Sequence, residues 1–148
     1  NIIFRPHPWE IISNKYNTLL YDDLIQFSDS LVEPPFDYLK KVDVVISGNS
    51  GILLEAAMLN VYPLFWNNLK QETKYKDNPK DKYGFVRNNV VLQCDTIDDI
   101  MNKIEDLMIY KPNIRYLSKI YVDTIDTKFD GKSSKLAANI ITNKIRST

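Results

Sequence analysis

The sequence is poor in the residues that hold metal ions or form crosslinks. Cys94 is the only cysteine and His7 the only histidine among 148 residues. A single cysteine excludes an internal disulfide and a multi-cysteine metal site, and it fits a reducing compartment. We therefore expect Cys94 to be a packing residue and expect no metal site.

The chain also lacks an excess of charge and a long apolar run. Lys and Arg total 19, as do Asp and Glu, so no overall field attracts nucleic acid or an anionic membrane. No apolar stretch approaches the ~18 residues of a membrane span, and no signal peptide is found. We expect a cytoplasmic protein with no nucleic-acid partner. Peripheral contact with the inner face of the membrane, by a region outside this sequence, stays open.

The length and the first residues indicate one domain of a larger protein. A chain of 148 residues with 44% hydrophobic content can bury one ordinary core. It begins with Asn-Ile-Ile-Phe, which is strand-like and has no initiator Met. We expect residues 1–148 to form a single domain cut from a longer chain.

Residues 43–60 predict a buried strand, a tight polar turn and a helix. Val44–Ile46 is a β-branched run typical of an interior strand that is covered on both faces. The turn Ser47-Gly48-Asn49-Ser50-Gly51 lets the backbone reverse and can cap a helix that starts near Gly51. The free N–H groups of such a helix start can hold an anion. Asn60 is expected to stop the helix in a left-handed conformation.

The rest of the chain alternates between strand and helix patterns. Hydrophobic spacing and turn residues predict strands at 1–5, 24–27, 61–66 and 89–93, and helices at 9–20, 36–42, 97–108, 111–129 and 136–145. The helix at 36–42 is expected to direct Phe36 and Leu39 inward, with Val42 a further candidate. Asp95 or Thr96 is expected to cap the 97–108 helix, whose apolar face would cover a sheet. The lysine-dense stretch 67–83 indicates a solvated loop.

This alternation predicts an α/β fold, specifically a Rossmann-like three-layer sandwich with a mainly parallel sheet and helices on both faces. Ligands of such sheets bind outside the carboxyl ends of the strands. His7 and the 47–51 turn both follow predicted strands. We therefore expect both at this edge.

Two polar side chains near the first strand are candidate phosphate ligands. His7 lies between Pro6 and Pro8, which restrict its backbone, and its imidazole can donate a hydrogen bond to a phosphate oxygen. Arg5 can also bind a phosphate, although a structural salt bridge is the commoner role of a single arginine.

The strand–turn–helix stretch supplies the other candidates. Ser50 and Gly51 can bind a phosphate through their N–H groups and the Ser hydroxyl, or they can form an ordinary helix cap. Glu55 stands in an otherwise almost wholly apolar helix, so its carboxylate has to face solvent, a cation or hydroxyl groups such as those of a ribose. Ser133, after Gly131-Lys132, offers another anion contact or a second plain cap.

Together these motifs resemble the C-terminal, nucleotide-donor-binding domain of GT-B-fold glycosyltransferases, and most closely those of bacterial surface-carbohydrate and capsule enzymes. Arg5-Pro6-His7-Pro8 is similar to the HP motif of bacterial sialyltransferases, capsule transferases and CDP-glycerol glycerophosphotransferases. The stretch from Asp43 to Ala57 resembles the strand, Ser-rich turn and Glu-Ala helix of that family.

The resemblance implies a role for each candidate. His7, as the catalytic residue, would stabilise the leaving nucleotide, with Arg5, Ser50, Gly51 and Ser133 as further donor-phosphate ligands and Glu55 as the ribose ligand. The substrate would be a nucleotide-activated sugar, without a separate cofactor.

The resemblance also implies partners outside this sequence. An absent N-terminal domain would bind a glycan or lipid-linked acceptor, and residues 1–148 would belong to the C-terminal half. Ser47 stands eight residues before Glu55, where many retaining members have a glutamate, so the stereochemical course stays open.

Two alternatives remain. The chain could be half of a nucleotide-sugar 2-epimerase, a related two-domain fold that also uses a helix-borne glutamate. It could also be a non-catalytic α/β interaction module, in which the turn is only a cap and His7 is packed.

Overall fold

The computed structural model describes residues 1–13, 23–67 and 81–147. The described strands are β1 (Ile2–Phe4), β2 (Ile25–Phe27), β3 (Val44–Ser47), β4 (Tyr62–Trp66) and β5 (Leu92–Cys94). The helices are α1 (Pro8–Ser13), α2 (Pro35–Leu39), α3 (Ile52–Met58), α4 (Ile97–Ile109), a 3-10 helix (Arg115–Ile120) and α5 (Ser133–Arg146). The rest of the helix predicted at 9–20, and most of the loop predicted at 67–83, lie outside the described residues.

All paired strands run parallel and belong to two small sheets. β1 pairs with β2, with Ile2 opposite Ile25. The second sheet has the order β3-β4-β5, with Val44 opposite Tyr62 and Leu64 opposite Leu92. Parallel strands need crossover connections, and α3 supplies the one between β3 and β4. The α/β, Rossmann-like class is confirmed, with its strands divided between two sheets.

The chain divides into two compact units, Asn1–Asp43 and Val44–Thr148. The first contains β1, α1, β2 and α2, and the second contains the remaining elements. That residues 1–148 form one domain stays a prediction.

The second unit holds most of the buried apolar side chains. β4 is its central strand, and Tyr62, Leu64 and Phe65 are buried, as is Pro63. α3 packs against β3 and β4 and buries Leu53, Ala56 and Ala57. Cys94 is buried, as expected of a packing residue, and burial raises the pKa of its thiol.

Asn60 ends α3 as predicted, with a φ of 59°. The Asn60 side chain also holds a segment 54 residues further along the chain, because its Oδ1 accepts a hydrogen bond from the N–H of Ile114 at 2.8 Å. The connection therefore fixes both the end of α3 and the start of the 3-10 helix.

Two strand predictions need correction. Val44–Ile46 was expected to be an interior strand, but β3 lies at an edge of the described three-stranded sheet and Ile46 is 48% exposed. A short β-branched run does not distinguish burial on one face from burial on both. The strand expected at 89–93 begins at Leu92, because Asn89 is left-handed and Val90 donates back to the carbonyl of Phe85.

Three helix predictions also need correction. Phe36 is 42% exposed, since the five-residue α2 directs Tyr38 and Leu39 inward instead. α4 forms as predicted, yet none of its residues is fully buried, so its apolar face covers the sheet only in part. The single irregular helix expected at 111–129 is wrong, because the segment holds only the 3-10 helix and turns fixed by Asn60 and Arg115.

Candidate functional site

His7 caps the first helix through both its backbone and its ring. Its carbonyl accepts hydrogen bonds from the N–H groups of Glu10 and Ile11, and its ring Nδ1 accepts one from the N–H of Trp9 at 3.1 Å. The Glu10 carboxylate in turn accepts the N–H of His7 at 2.8 Å. The Glu10 contact matches one half of a capping box, whereas the His7 ring accepts the N–H one residue earlier than Ser or Thr does in that motif.

The cap defines the tautomer of His7. Since Nδ1 is an acceptor, the proton of the neutral ring is assigned to Nε2. His7 is exposed, and Nε2 makes no hydrogen bond with any of the described residues. The ring can therefore donate from Nε2 to a phosphate oxygen while it still caps α1.

The Arg5 side chain is held by residues of the first unit. Its guanidinium donates to Ser28 Oγ and to the carbonyl of Glu33, both at 2.7 Å, and lies 5.0 Å from the centre of the Tyr38 ring. Its side chain is only 7% exposed. These contacts give Arg5 a structural role in holding β2 and α2 beside β1.

Glu33 completes this arrangement. Its carboxylate accepts from Ser28 Oγ at 2.5 Å and pairs with Lys41, and it lies 3.7 Å from Arg5. Lys41, and then the Ser28 hydroxyl, lower the pKa of Glu33. No local pattern indicates this cluster, because Arg5 and Glu33 are 28 residues apart.

The Ser-rich turn follows β3 at the carboxyl edge of its sheet. Gly51 already has helical dihedrals, with φ −60° and ψ −25°, and Ser50 Oγ accepts a long hydrogen bond of 3.4 Å from the N–H of Ile52. Gly51 is the N-cap residue, and α3 has no side-chain cap, so Ser50 contributes only this long contact. The N–H groups of Ser50 and Gly51 make no hydrogen bond within the described part of the chain.

Glu55 lies in the first turn of α3, beside this Ser-rich turn. Leu53, Ala56 and Ala57 form the buried side of the helix, whereas Glu55 is partly exposed. Its carboxylate has no hydrogen bond or ion pair with another described residue. A carboxylate placed about one helical turn after two N–H donors can accept from the hydroxyls of a ligand whose anion the donors hold.

A segment that the sequence did not single out touches the turn. The N–H of Lys82 donates to Asn49 Oδ1 at 3.2 Å. Asp81 accepts the N–H groups of Val86 and Arg87 and so holds this segment in a compact turn. The only sequence signal was the high density of lysine, which does not indicate a contact with Asn49.

Ser133 begins α5, and its hydroxyl lies 3.0 Å from that of Thr124. None of the hydrogen bonds between described residues joins Ser133 to the Ser-rich turn. The predicted residues are thus divided, with Arg5 and His7 in the first unit and Ser50, Gly51, Glu55 and Ser133 in the second. Ser50, Gly51 and Glu55 are brought together by one strand–turn–helix.

The part of the chain that the structure describes contains neither a metal-ligand cluster nor a helix that could span a membrane. In the described ranges, no three or more His, Cys, Asp or Glu side chains are arranged to hold a metal ion. No helix of those ranges has the length and apolar character needed to cross a membrane.

Comparisons with known proteins give no relative. No family model, no curated protein and no solved structure matches the chain.

Proposed function

We propose that the chain is the nucleotide-sugar-binding domain of a glycosyltransferase that acts in bacterial surface polysaccharide biosynthesis. The observation that carries this proposal is the Ser-rich turn after β3: among the described residues, the N–H groups of Ser50 and Gly51 and the carboxylate of Glu55 in the next helix have no hydrogen-bond partner. Ligands of parallel α/β sheets bind at this edge. The resemblance of residues 43–57 to the donor-binding motif of GT-B enzymes supports the same assignment.

The phosphate contact is assigned to the N–H groups of the turn. α3 has seven residues, too few for the helix dipole to dominate. The contact therefore rests on hydrogen bonds from Ser50 and Gly51 to phosphate oxygens, which are stronger than bonds to neutral acceptors.

The ribose contact is assigned to Glu55. A carboxylate accepts hydrogen bonds only, and a ribose offers two hydroxyl donors. A cytidine or uridine nucleotide would place its phosphate at the turn and its ribose at Glu55. The sugar would come from a nucleotide-activated donor, and its acceptor would be a glycan or lipid-linked glycan bound by a domain outside this sequence.

His7 is proposed separately as a donor to a nucleotide phosphate. Its Nε2–H is available while Nδ1 is used by the cap. Such a donor would stabilise the negative charge that develops on the leaving nucleotide. Arg5 and Ser133 are not included as ligands, because Arg5 is bound by Ser28 and Glu33, and Ser133 by Thr124.

Amide NMR spectra recorded during titration with CMP, CDP and UDP test the proposal. We expect saturable shifts at Ser50, Gly51, Ile52 and Glu55 with at least one nucleotide. The absence of shifts at these residues with all three nucleotides would refute the proposal. The chain by itself is expected to show no transferase activity.

The ribose contact has its own test. Glu55→Gln should weaken nucleotide binding about ten-fold, the loss of one hydrogen bond to a charged group. It should also abolish the preference for CMP over 2′-deoxy-CMP. Glu105→Gln, an exposed position on α4, is the matched control and should bind as the wild type does.

Two variants separate the roles of His7. Asn is a good helix cap and can accept the Trp9 N–H, but it lacks the Nε2 donor of histidine. His7→Asn should therefore keep the cap of α1 and weaken nucleotide binding. His7→Ala should lose both the cap and the contact with the nucleotide. If His7→Asn binds nucleotide as tightly as the wild type, His7 is only a cap.

A further inference from the structure

A cavity of about 370 Å³ lies in the second unit, at the opposite edge from the Ser-rich turn. Its lining comes from the first residues of β4 and β5, from the second half of α4 and from the segment after α4: Tyr62, Leu92, Lys103, Asp106, Leu107, Ile109, Tyr110 and Pro112. It therefore opens near the amino ends of the strands. The proposed nucleotide site does not include it.

Tyr62 supplies this cavity with a hydrogen-bond donor. The residue is 8% exposed, and its hydroxyl makes no hydrogen bond to any described residue. The hydroxyl is not one of the fully buried unpaired groups of the described residues, so water can reach it. A ligand that carries an acceptor can take the place of this water.

The walls and the volume restrict the ligand further. Leu92, Leu107 and Pro112 are apolar, and Ile109 and Tyr110 form an exposed rim. Lys103 and Asp106 contribute one charge of each sign, so the lining has no net charge. An apolar cavity of about 150 Å³ is enough to bind benzene. About 370 Å³ therefore admits one ring with a substituent.

We propose that this cavity binds a small, uncharged molecule with a ring-sized apolar body and one hydrogen-bond acceptor. The apolar body lies against Leu92, Leu107 and Pro112, and the acceptor receives the Tyr62 hydroxyl. This is a second ligand site, and it does not depend on nucleotide binding at the turn after β3.

Acetophenone and toluene are suitable probes, because both have one aromatic ring and only acetophenone has a carbonyl acceptor. In NMR titrations of the whole chain we expect saturable amide shifts at Tyr62, Leu92, Leu107 and Tyr110. Acetophenone should bind about five-fold more tightly than toluene, the value of one neutral hydrogen bond. Tyr62→Phe should remove this preference while it keeps the apolar wall.

Tyr116→Phe is the matched control, since Tyr116 is 59% exposed and does not line the cavity. It should keep the five-fold preference. Three results would overturn the proposal: no saturable shifts at the lining residues with either probe, equal affinities in the wild type, or a preference for acetophenone that survives Tyr62→Phe. None of them bears on the nucleotide titration, which reports on Ser50, Gly51 and Glu55.

Discussion

Arg115 fixes the segment between α4 and α5 by contacts that are far apart in sequence. Its Nε donates to the carbonyl of Met58 at 2.7 Å, and its terminal nitrogens bind Asp126 at 2.8 Å and Asp130 at 2.7 and 2.5 Å. These bonds bend the chain around one guanidinium. A straight helix through residues 111–129 could not bring both carboxylates to the same side chain.

The stability that the ion pair of Asp130 and Arg115 contributes depends on pH. The Arg115 guanidinium lowers the pKa of Asp130, with help from the N–H of Asp126. A carboxyl whose pKa is lower in the folded state adds stability above its unfolded pKa of about 4 and loses it as the pH falls through the folded pKa. Asp130→Asn should therefore lower the melting temperature at about pH 7, and the difference from the wild type should shrink toward about pH 3.

Asp123→Asn controls for the removal of one negative charge, since Asp123 is exposed in the same segment and has no ion pair among the described residues. Thermal unfolding of the three proteins across this pH range gives the comparison. A difference between Asp130→Asn and the wild type that stays constant with pH would contradict the role of the carboxylate.

A substitution at Gly51 can change ligand binding at the proposed site without loss of folding stability. Its φ of −60° is one that any residue adopts, and a Cβ built there meets no atom within 4 Å. Gly51→Ala should leave the free energy of unfolding unchanged or raise it by up to about 1 kcal/mol. A phosphate that approaches the Gly51 N–H would meet the new methyl group, so nucleotide binding should weaken about ten-fold.

Urea unfolding and a nucleotide titration of the same Gly51→Ala protein check both halves of this prediction. Unchanged nucleotide affinity would show that no phosphate approaches the backbone there. A loss of stability would show that the turn has a stricter conformation than the one described.

Single residues also show the limit of sequence reasoning. His7 and Glu55 could be selected from their neighbours, because two prolines and an apolar helix make each of them unusual. The partners of Arg5 could not be predicted from the sequence, since Ser28 is 23 residues away and no local pattern joins the two. The same is true of the contact between Lys82 and Asn49.

At the scale of the element, α4 has the clearest start signal. Thr96 Oγ1 accepts the N–H of Asp99 at 3.1 Å, and the Asp99 carboxylate accepts the N–H of Thr96 at 2.9 Å. Both bonds are local, and Thr96 was one of the two caps expected from the sequence. Because none of the residues of α4 is fully buried, this capping box contributes a large share of what holds the helix start.

Thr96→Ala should lower the free energy of unfolding by about 1 kcal/mol, because it removes the acceptor for the N–H of Asp99. Thr96→Ser retains the hydroxyl and should restore most of the loss. Urea unfolding followed by circular dichroism measures both variants. A Thr96→Ser protein as unstable as Thr96→Ala would indicate that the Thr methyl group, and not the cap, stabilises α4.

Elements were predictable where local signals define them and not where distant contacts do. β1, α3, β4 and α5 follow from short-range patterns and turn residues, and all four form. The 3-10 helix depends on contacts of Asn60 and Arg115 with residues 54 and 57 positions away. The late start of β5 depends on a turn in which Val90 donates to the carbonyl of Phe85, and a β-branched pair such as Val90-Val91 does not indicate that turn. Periodicity predicts a helix, but it does not show how much of the helix another element covers.

At the scale of the whole molecule, the α/β fold class could be predicted, because strands alternate with helices along the chain and this pattern is typical of parallel sheets. The division of the described strands into a two-stranded and a three-stranded sheet could not be predicted, since no single strand encodes its neighbours in a sheet. The division also determines where the core lies. All fully buried apolar side chains of the described residues belong to the second unit, apart from Tyr38 and Leu39 and the ring of Pro6.

This distribution predicts unequal resistance to hydrogen exchange. The amides of β4 pair with strands on both sides, and its first four residues are buried. β1 pairs only with β2 in the described sheet, and none of the residues in these two strands is fully buried. Backbone amides exchange through local opening, whose free energy rises with buried contacts.

The β4 amides should therefore exchange at least about a hundred-fold more slowly than those of β1 and β2, a difference of about 2.7 kcal/mol in opening free energy. Exchange followed by NMR at several urea concentrations provides the measurement. The amides of α5 serve as an internal reference, because this helix has no buried residue and should also exchange quickly. Equal protection of β1 and β4 would mean that β1 gains its stability from contacts beyond its pairing with β2, and the core assigned to the second unit would not set the order of opening.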